Sequence, residues 1–438
     1  MKNILIYNNV AAKTIKKIIN SKKVSIIIEL ILLYIIFQYR IKIKINEIIN
    51  SVEIELKDVD DYINNLNKYS IYREPKYILL FDYIYSPFCE DFNAYTIFKY
   101  YQNNNNNNAF YILNEGTELY KYLLKNNKTK NIIPYRNNQN NQHLFQFLLN
   151  SKIIIQSYAL FFFQTIVSHV KYLKFLYICH AVNYFKTSII KIQLSKLDKN
   201  KQHIILTSPY EYNLYKKLNL YDENAMHKGG LARYDRLNYI QKNFTERKCI
   251  LVSFTYRSFK NYLYKRSLYK NNLYKLLSDD SLNSFLEKKN IDLVFIQHHN
   301  DIRKGRKIDK KLFHKIKFKN QKFLMYYIEQ CSLFITDFSS ISFDFMFQNK
   351  PVLFYHLDKK DKLIFKEKSF MKIDYNNNIY YNNVFSEKEK LINKTIYYIN
   401  RNFTLEDGLA EKYKTLFYNK RNITQKIVKI INNIIKND

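Results

Sequence analysis

Tryptophan is absent from this 438-residue sequence, and glycine, proline and cysteine are scarce, with five, five and four residues. The cysteines stand far apart, at Cys89, Cys179, Cys249 and Cys331, and form no C-x-x-C pair. That spacing offers neither a zinc site nor a dense disulfide framework. We therefore expect a reducing, cytosolic setting in which the cysteines pack as small buried hydrophobes.

Acidic residues are also few, because 38 Asp and Glu stand against 71 Lys and Arg and leave a formal charge of +33. Such an excess favours a polyanionic partner: nucleic acid, an anionic membrane or a phosphate-rich substrate. The basic residues are spread along the whole chain and look like compositional drift as much as selection, so we expect no nucleic-acid partner. A hydrophobic content of 47% is enough to fill the cores of two or three domains.

No apolar run is long enough to span a membrane, since a spanning helix needs about 20 apolar residues. The longest candidate, Val24 to Phe37, carries Glu29 near its middle and is flanked by lysines and Arg40. Two interpretations remain open: a buried core helix, or an interfacial segment held at a membrane by the flanking charges. Basic residues follow the run where a cleaved signal would have small ones, so no signal peptide is predicted.

Strand-like and helix-like segments alternate from Lys76 onward, which predicts an α/β fold. Buried strands are predicted at KYILLF, AFYILN, SKIIIQSY, FLYIC, HIILT, KCILVS and IDLVFI. The last stretch, Thr424 to Ile435, has the spacing of an amphipathic helix.

The segment Leu333 to Asp358 changes pattern three times and predicts a strand, a polar turn, a helix and a second strand. Ser339 and Ser340 supply N-cap chemistry for a helix over Ile341 to Phe347, which Pro351 is predicted to stop. A parallel βαβ unit binds ligands beyond the carboxyl end of its strand, where a helix N-terminus attracts anions. Two serines at that place suit a phosphate.

Histidines and basic residues follow other predicted strands. His180 stands just after FLYIC, and Lys186 follows six residues later. A lone histidine is more often structural, but a neutral imidazole is well poised to accept a proton from a hydroxyl. His298 and His299 follow IDLVFIQ, and adjacent strand residues would point to opposite faces. A zinc site is not favoured, because no third ligand stands at a suitable spacing.

Two of the five glycines, Gly229 and Gly230, stand together in KGGLARYDRL. Glycine permits a positive φ or a close backbone approach, so the segment suits a linker into the second half with Arg233 and Arg236 near a cleft. The alternative is a surface turn in which Asp235 pairs with an arginine.

These segments together carry a resemblance to a known family. ITDFSSISFDFMFQNKPVLFYHLD resembles the signature of the CDP-glycerol glycerophosphotransferase family, the teichoic acid primases and polymerases of bacterial cell envelopes. CHAVNYFK, GLARYDRL, FTYR and FIQHHN are similar to four upstream blocks of that family and occur in the same order. The resemblance extends from about residue 175 to 358, and residues 1 to 70 are not covered.

The resemblance implies an α/β, GT-B-like fold with two Rossmann-like domains facing across a cleft and an N-terminal extension over residues 1–70. Residues 71–240 would form the acceptor domain, and residues 241–438 the nucleotide-binding domain with its C-terminal helix. The implied enzyme moves glycerol phosphate, or a similar polyol phosphate, from CDP-glycerol or a related CDP-alcohol to a hydroxyl of a membrane-linked cell-envelope polymer or its primer and releases CMP. The implied acceptor carries a prenyl diphosphate, and the implied location is peripheral, on the cytoplasmic face of an anionic membrane. No metal or cofactor is implied.

The resemblance also implies roles for residues. His180 would be the catalytic base, and His298 a second functional histidine near the transferred phosphate. Ser339 and Ser340 would hold the diphosphate with the helix amides. The remaining predicted substrate-binding residues are Asp337, Thr255, Arg233, Arg257 and Lys186, whose cations would offset charge on the shifting phosphoryl group.

Three of these blocks depart from the family pattern. Ala181 replaces the glycine that follows the first histidine, His299 stands where a proline is usual, and FTYR lacks the usual Pro and Trp. None of these changes removes an ionisable group. Two alternative functions stay open: a GT-B glycosyltransferase that uses a sugar nucleotide, and a catalytically inactive protein that binds anionic polymer.

Overall fold

The computed structural model describes residues 75–82, 93–135, 144, 147–148, 150–157, 173–179, 181–182, 202–219, 221–242, 249–256, 268–298, 301–302, 305–310, 313–357 and 382–436. The chain divides into two units, Met1–Tyr72 and Arg73–Asp438, and all described residues belong to the second unit. The predictions for the apolar run at 24–37 and for the N-terminal extension therefore lie outside the described residues.

The first sheet has seven parallel strands in the order β3-β2-β1-β4-β5-β6-β7. They are β1 Tyr77–Phe81, β2 Ala109–Asn114, β3 Ile132–Tyr135, β4 Ser151–Gln156, β5 Lys174–Ile178, β6 Gln202–Leu206 and β7 Met226–Lys228. The helices described with it are α1 Asn93–Asn103, α2 Glu118–Lys125, α3 Pro209–Leu218 and α4 Tyr234–Lys242.

The second sheet has six parallel strands in the order β10-β9-β8-β11-β12-β13. They are β8 Cys249–Val252, β9 Asp292–Ile296, β10 Ile316–Lys319, β11 Leu333–Thr336, β12 Val352–Tyr355 and β13 Val384–Phe385. Its helices are α5 Leu268–Leu277, α6 Asp280–Lys288, α7 Leu324–Gln330, α8 Ser342–Phe347, α9 Lys388–Asn400 and α10 Asp407–Thr415. The final helix is α11 Ile423–Lys436.

The predicted strands form because their apolar runs are buried, as the strands of all-parallel sheets are. In β1, Leu79, Leu80 and Phe81 are fully buried, and the strand lies in register between β2 and β4. Strand order reverses between β1 and β4 in the first sheet and between β8 and β11 in the second. Ligands of doubly wound sheets bind beyond the carboxyl ends at such switch points.

Helix α11 returns to the first sheet, which confirms the predicted amphipathic C-terminal helix. It packs against α1 and α4, and Lys174 Nζ at the start of β5 donates to Ile434 O at 2.7 Å. Close packing at its N-terminus accounts for Gly230, where a Cβ would lie only 2.9 Å from Ile423 Cγ2. A Cβ at Gly229 would lie 2.5 Å from Ile205 Cγ2, so this glycine pair permits close approach.

The expectation that the cysteines are simple buried hydrophobes is wrong for Cys249 and Cys331, which form a disulfide bond. Their sequence separation of 82 residues gave no indication of this pairing. Strands β8 and β11 are neighbours, however, and bring the two Cα atoms to 4.6 Å. Cys179 is a buried thiol, as predicted, and burial raises its pKa.

The helix α8 ends at Phe347, as predicted, but the predicted stop signal, Pro351, is wrong. Pro351 lies four residues beyond the end of the helix. Asn349 adopts a left-handed φ of 54°, and the Lys350 amide donates to Phe345 O at 3.0 Å. An asparagine in this conformation closes a helix by satisfying its last carbonyl groups. Pro351 instead leads directly into β12.

Candidate active site at the carboxyl ends of the two sheets

The structure describes six of the nine predicted site residues. These are His298, Ser339, Ser340, Asp337, Arg233 and Thr255. His180, Lys186 and Arg257 lie outside the described residues, and so does His299, so their predicted roles stay predictions. Ala181, the departure beside His180, is buried three residues beyond the end of β5.

Thr255 and Asp337 join the loops that follow β8 and β11, at the switch point of the second sheet. The Thr255 amide lies 3.0 Å from each oxygen of the Asp337 carboxylate, and its hydroxyl donates to Oδ1 at 2.8 Å. Asp337 is fully buried, and hydrogen bonds to a buried carboxylate are of the stronger, charge-assisted kind. This contact, which we call the switch-point latch, holds the two strand-end loops in one arrangement.

Ser339 and Ser340 follow the latch in a tight turn. The Ser342 amide donates to Ser339 O at 3.1 Å, and the Ser339 hydroxyl accepts from the Ile341 amide at 3.4 Å. The turn moves the helix start to Ser342, with Ile341 at the N-cap and no side-chain cap bond. The prediction that the two serines cap the helix is therefore wrong in detail. Both serines still lie at the carboxyl end of β11, Ser339 nearly buried and Ser340 half-buried.

His298 lies two residues beyond β9, half-buried, with its ring centroid 5.7 Å from that of Tyr256. Its carbonyl accepts from the Asp301 amide at 2.9 Å, and Asp301 pairs with Arg306 at 3.2 Å in an almost fully buried contact. Arg306 also lies over the Tyr256 ring. His298 thus stands on a braced loop beside the latch residue Thr255, and it lines a small pocket with Asp301, Phe254 and Leu273.

Arg233 connects the two sheets. Its guanidinium lies 2.6 Å from the carboxylate of Asp344, on α8, and both side chains are almost fully buried. Burial raises the pKa of Asp344, and the neighbouring Arg233 opposes that rise. Arg236 makes a second link to the α7 residue Glu329, at 2.6 Å.

The surface-turn alternative for this segment is wrong. The Asp235 carboxylate accepts from the Ile423 and Thr424 amides, at 2.9 and 2.7 Å, and so caps α11. The segment Gly229 to Arg236 is a junction between the sheets and the last helix. The predicted contact of Arg233 with substrate stays a prediction.

Asp82 is a buried residue to which sequence reasoning assigned no role. It follows β1 at the first sheet's switch point and accepts from the Ala94 and Tyr95 amides at 3.2 and 2.9 Å. The hydroxyls of Tyr111 and Ser157 also donate to it. Burial raises the pKa of Asp82 to about 6 in spite of these donors. The amides at the start of α1 are thus occupied by a protein carboxylate.

At each switch point a carboxylate from one strand end accepts a hydrogen bond from a hydroxyl at the neighbouring strand end. In the first sheet the carboxylate, Asp82, follows β1 and the hydroxyl, Ser157, follows β4. In the second sheet the hydroxyl, Thr255, follows β8 and the carboxylate, Asp337, follows β11. A polar residue directly after a buried strand was the signal that could have identified Asp82. Among the described residues, no three His, Cys, Asp or Glu side chains come close enough to hold a metal ion.

Comparison with known proteins decides the family. The profile of the family described as CDP-glycerol:poly(glycerophosphate) glycerophosphotransferase matches residues 74–433. The chain belongs to this family. The match confirms the resemblance inferred from the sequence blocks, and it also includes residues outside those blocks.

Two individual proteins similar to this glycerophosphotransferase family member are consistent with the family match. The chain is 25% identical over 365 residues to the minor teichoic acid biosynthesis protein GgaB of Bacillus subtilis (strain 168), covering 78% of this chain. It spans only 38% of the length of GgaB. The structure of the wall teichoic acid polymerase TagF matches with a TM-score of 0.58 and 15% identity, over 83% of this chain and 90% of TagF.

A putative UDP-N-acetylglucosamine 2-epimerase from Listeria monocytogenes also matches, with a TM-score of 0.50 and 10% identity, over 83% of this chain and 98% of the epimerase. The chain has two parallel, doubly wound sheets, and its structure matches TagF and this epimerase. Together these findings confirm the predicted GT-B-like α/β fold.

Proposed function

We propose that this chain transfers glycerol phosphate from CDP-glycerol to a hydroxyl of a cell-envelope polymer or its primer and releases CMP. The observation that carries the proposal is the serine turn beside the Thr255–Asp337 latch, at the switch point of the second sheet. Family membership supports the same reaction. GgaB and TagF are named for teichoic acid biosynthesis and polymerisation, and a TagF variant has been soaked with CDPG.

In the proposed reaction the acceptor hydroxyl oxygen attacks the phosphorus that carries glycerol. The bond from that phosphorus to the bridging oxygen breaks, and CMP leaves with that oxygen. His180 takes the proton of the attacking hydroxyl. Ser339 and Ser340 hold the diphosphate, and His298 stabilises the charge that develops on the transferred phosphate, with Arg257 and Lys186 as further cations.

The variant His180→Ala tests the base. A general base contributes about 10² to 10⁴ in rate, so turnover of CDP-glycerol should fall by that factor while the Kd for CDP stays near the wild-type value. His314→Ala is the control, because His314 is exposed in a turn before β10. Wild-type turnover in His180→Ala would remove this residue from the mechanism.

A panel of nucleotides tests the donor. CDP-glycerol, CDP-ribitol and sugar nucleotides are each incubated with the protein and an acceptor primer, and the consumed nucleotide is identified by chromatography. Consumption of a sugar nucleotide alone would establish the glycosyltransferase alternative. A ligand at about 100 times its Kd stabilises a protein by about 2.7 kcal/mol. If no nucleotide raises the melting temperature, the result supports the inactive polymer-binding alternative.

We further propose that the acceptor is linked to a prenyl diphosphate and that the protein meets it on the anionic, cytoplasmic face of a membrane. Lys319 and Lys322 are exposed where β10 leads into α7, and Phe323 and Tyr326 expose 44% and 42% of their surface. Lysines beside exposed aromatic rings suit an anionic lipid surface. We call Lys319, Lys322, Phe323 and Tyr326 the lysine rim. Lys319 lies in register with Ile296 of β9, so the rim adjoins the loop that carries His298.

Vesicle binding tests the lysine rim. Among the described helices, none is long and apolar enough to cross a bilayer. We expect Lys319→Glu with Lys322→Glu to weaken co-sedimentation with phosphatidylglycerol vesicles, and the exposed pair Lys125→Glu with Lys128→Glu to serve as the charge-matched control. Phe323→Ser should also weaken binding. Equal binding of both double variants would exclude this rim as the membrane contact.

A further inference from the structure

Asn93, the first residue of α1, uses both ends of its side-chain amide on distant main-chain groups. Its Nδ2 donates to Cys179 O at 2.8 Å, across 86 residues of sequence. Its Oδ1 accepts from the Arg233 amide at 3.2 Å, across 140 residues. Asn93 is fully buried, and no part of its amide faces water. One side chain therefore joins the end of β5 to the junction segment.

Each of the two partners leads to one half of the proposed reaction centre. Cys179 is the residue directly before His180 in the sequence. Arg233 reaches Asp344 on α8, the helix that begins immediately after the serine turn. The path from the base to the diphosphate turn thus runs through Cys179, Asn93, Arg233 and Asp344.

Asn93 is itself held rigidly. The next two amides of α1, those of Ala94 and Tyr95, donate to the buried carboxylate of Asp82 at 3.2 and 2.9 Å. The start of α1 therefore cannot move without breaking the hydrogen bonds that close the first sheet's switch point. Because Asn93 is fixed in this way, it can hold Cys179 and Arg233 at a set distance from each other.

A neutral amide satisfies both contacts, because it carries a donor for Cys179 O and an acceptor for the Arg233 amide. An aspartate could accept from the Arg233 amide but would place a second acceptor against Cys179 O. An alanine would remove both hydrogen bonds, the one to Cys179 O and the one from the Arg233 amide, and each lost bond costs on the order of 1 kcal/mol. The residue type, as well as its burial, is therefore matched to the two groups it bridges.

We infer that Asn93 is a positioning residue that sets the placement of the base-bearing end of β5 relative to the serine turn on the second sheet. It touches no reacting atom and acts through Cys179 and through the Arg233–Asp344 pair. The inference rests on the proposed function for its kinetic consequence, whereas the structural link stands on the hydrogen bonds alone. A displacement of about 1 Å in a reaction centre can cost 10²-fold in rate.

The first test measures structure without activity. Hydrogen–deuterium exchange is compared between the wild type, Asn93→Ala and the control Asn283→Ala, whose buried amide donates to Leu277 O at 3.1 Å on the second sheet's side. Asn93→Ala should accelerate exchange in peptides covering 176–179 and in those covering 339–344, and Asn283→Ala should change neither. Unchanged exchange over 339–344 in Asn93→Ala overturns the inference, whatever the enzyme's substrate.

The second test is kinetic. With CDP-glycerol we expect Asn93→Ala and Asn93→Asp to lower kcat about 10- to 100-fold, with the Kd for CDP within about threefold of wild type. In the His180→Ala background, Asn93→Ala should cause little further loss, since residues that act as one unit are non-additive. A fully additive loss, or unchanged kcat in an active enzyme, overturns the inference. A wild type that consumes no CDP-glycerol overturns the proposed function, while the exchange result still decides the link.

Discussion

The guanidinium of Arg233 and the carboxylate of Asp344 form an ion pair at 2.6 Å with 7% and 2% of their side chains exposed. The pair joins the segment after β7 to the helix after β11, and so links the two sheets. Around it, Tyr234 stacks on Phe347 at 4.1 Å, and both rings meet Phe417 edge-on. Because the ion pair is surrounded by these aromatic rings, loss of either charge should lower the stability of the protein.

We expect Arg233→Met and Asp344→Leu to destabilise the protein by about 3–5 kcal/mol each, because either change leaves an uncompensated buried charge. The double variant should lose much less than the sum. Urea unfolding of the four proteins gives the coupling energy. Lys121→Met is the control, since Lys121 and its partner Glu118 are both exposed, and it should cost less. Additive losses would show that the two charges do not depend on each other.

The pair His203 and His227 should make stability depend on mildly acidic pH. His203 Nδ1 lies 3.1 Å from His227 Nε2 on neighbouring strands. Burial, together with the charges of His227 and Lys174, lowers the pKa of His203 to about 4. Between about pH 6.5 and 4, His203 is therefore protonated in the unfolded chain but not in the folded chain. The free energy of unfolding falls as the pH drops through this range.

His203→Gln removes this titration. Urea midpoints at pH 7, 6 and 5 should decline less in the variant than in the wild type. His314→Gln, an exposed substitution, should follow the wild-type slope. Parallel slopes for wild type and His203→Gln would contradict the lowered pKa.

Asp82 should act with the opposite sign. Burial raises its pKa to about 6, so between about pH 4 and 6 the folded chain holds a proton that the unfolded chain has released. Its ionisation therefore reduces stability as pH rises through that window. Relative to Asp82→Asn, the wild type should lose stability between pH 4 and 6, and differential scanning calorimetry at pH 4, 5 and 6 would measure the change. A pH-independent difference would show that Asp82 does not titrate there.

Asp235 should control the attachment of α11. Its carboxylate accepts from the first two amides of that helix, and replacing such a capping group by alanine costs about 0.5–2 kcal/mol. Asp235→Ala should therefore lower the melting temperature and speed hydrogen exchange over 423–428. Glu411→Ala, in an exposed ion pair on α10, is the matched control and should do neither. Unchanged exchange at 423–428 would show that α11 is held by its apolar face alone.

Local patterns were sufficient for the interior strands of both sheets and for the family. Apolar runs such as AFYILN predicted β2 at its observed bounds, because a run that both faces of a sheet must bury is apolar throughout. The start of α3 is equally local, since the Ser208 hydroxyl accepts from the Glu211 amide at 3.1 Å and Pro209 stands in the first turn. Such features depend on neighbouring residues, so they can be read along the chain.

The order of the sequence blocks by itself determined that this chain is a CDP-glycerol glycerophosphotransferase family member with an α/β fold. Only the tertiary structure decided which residues meet: Cys249 with Cys331, Thr255 with Asp337, Asn93 with both Cys179 and Arg233. The reason is that strand order, not sequence distance, sets which strand ends are neighbours. The crossovers that produce this order bring together groups 82 to 140 residues apart, and no local pattern records them.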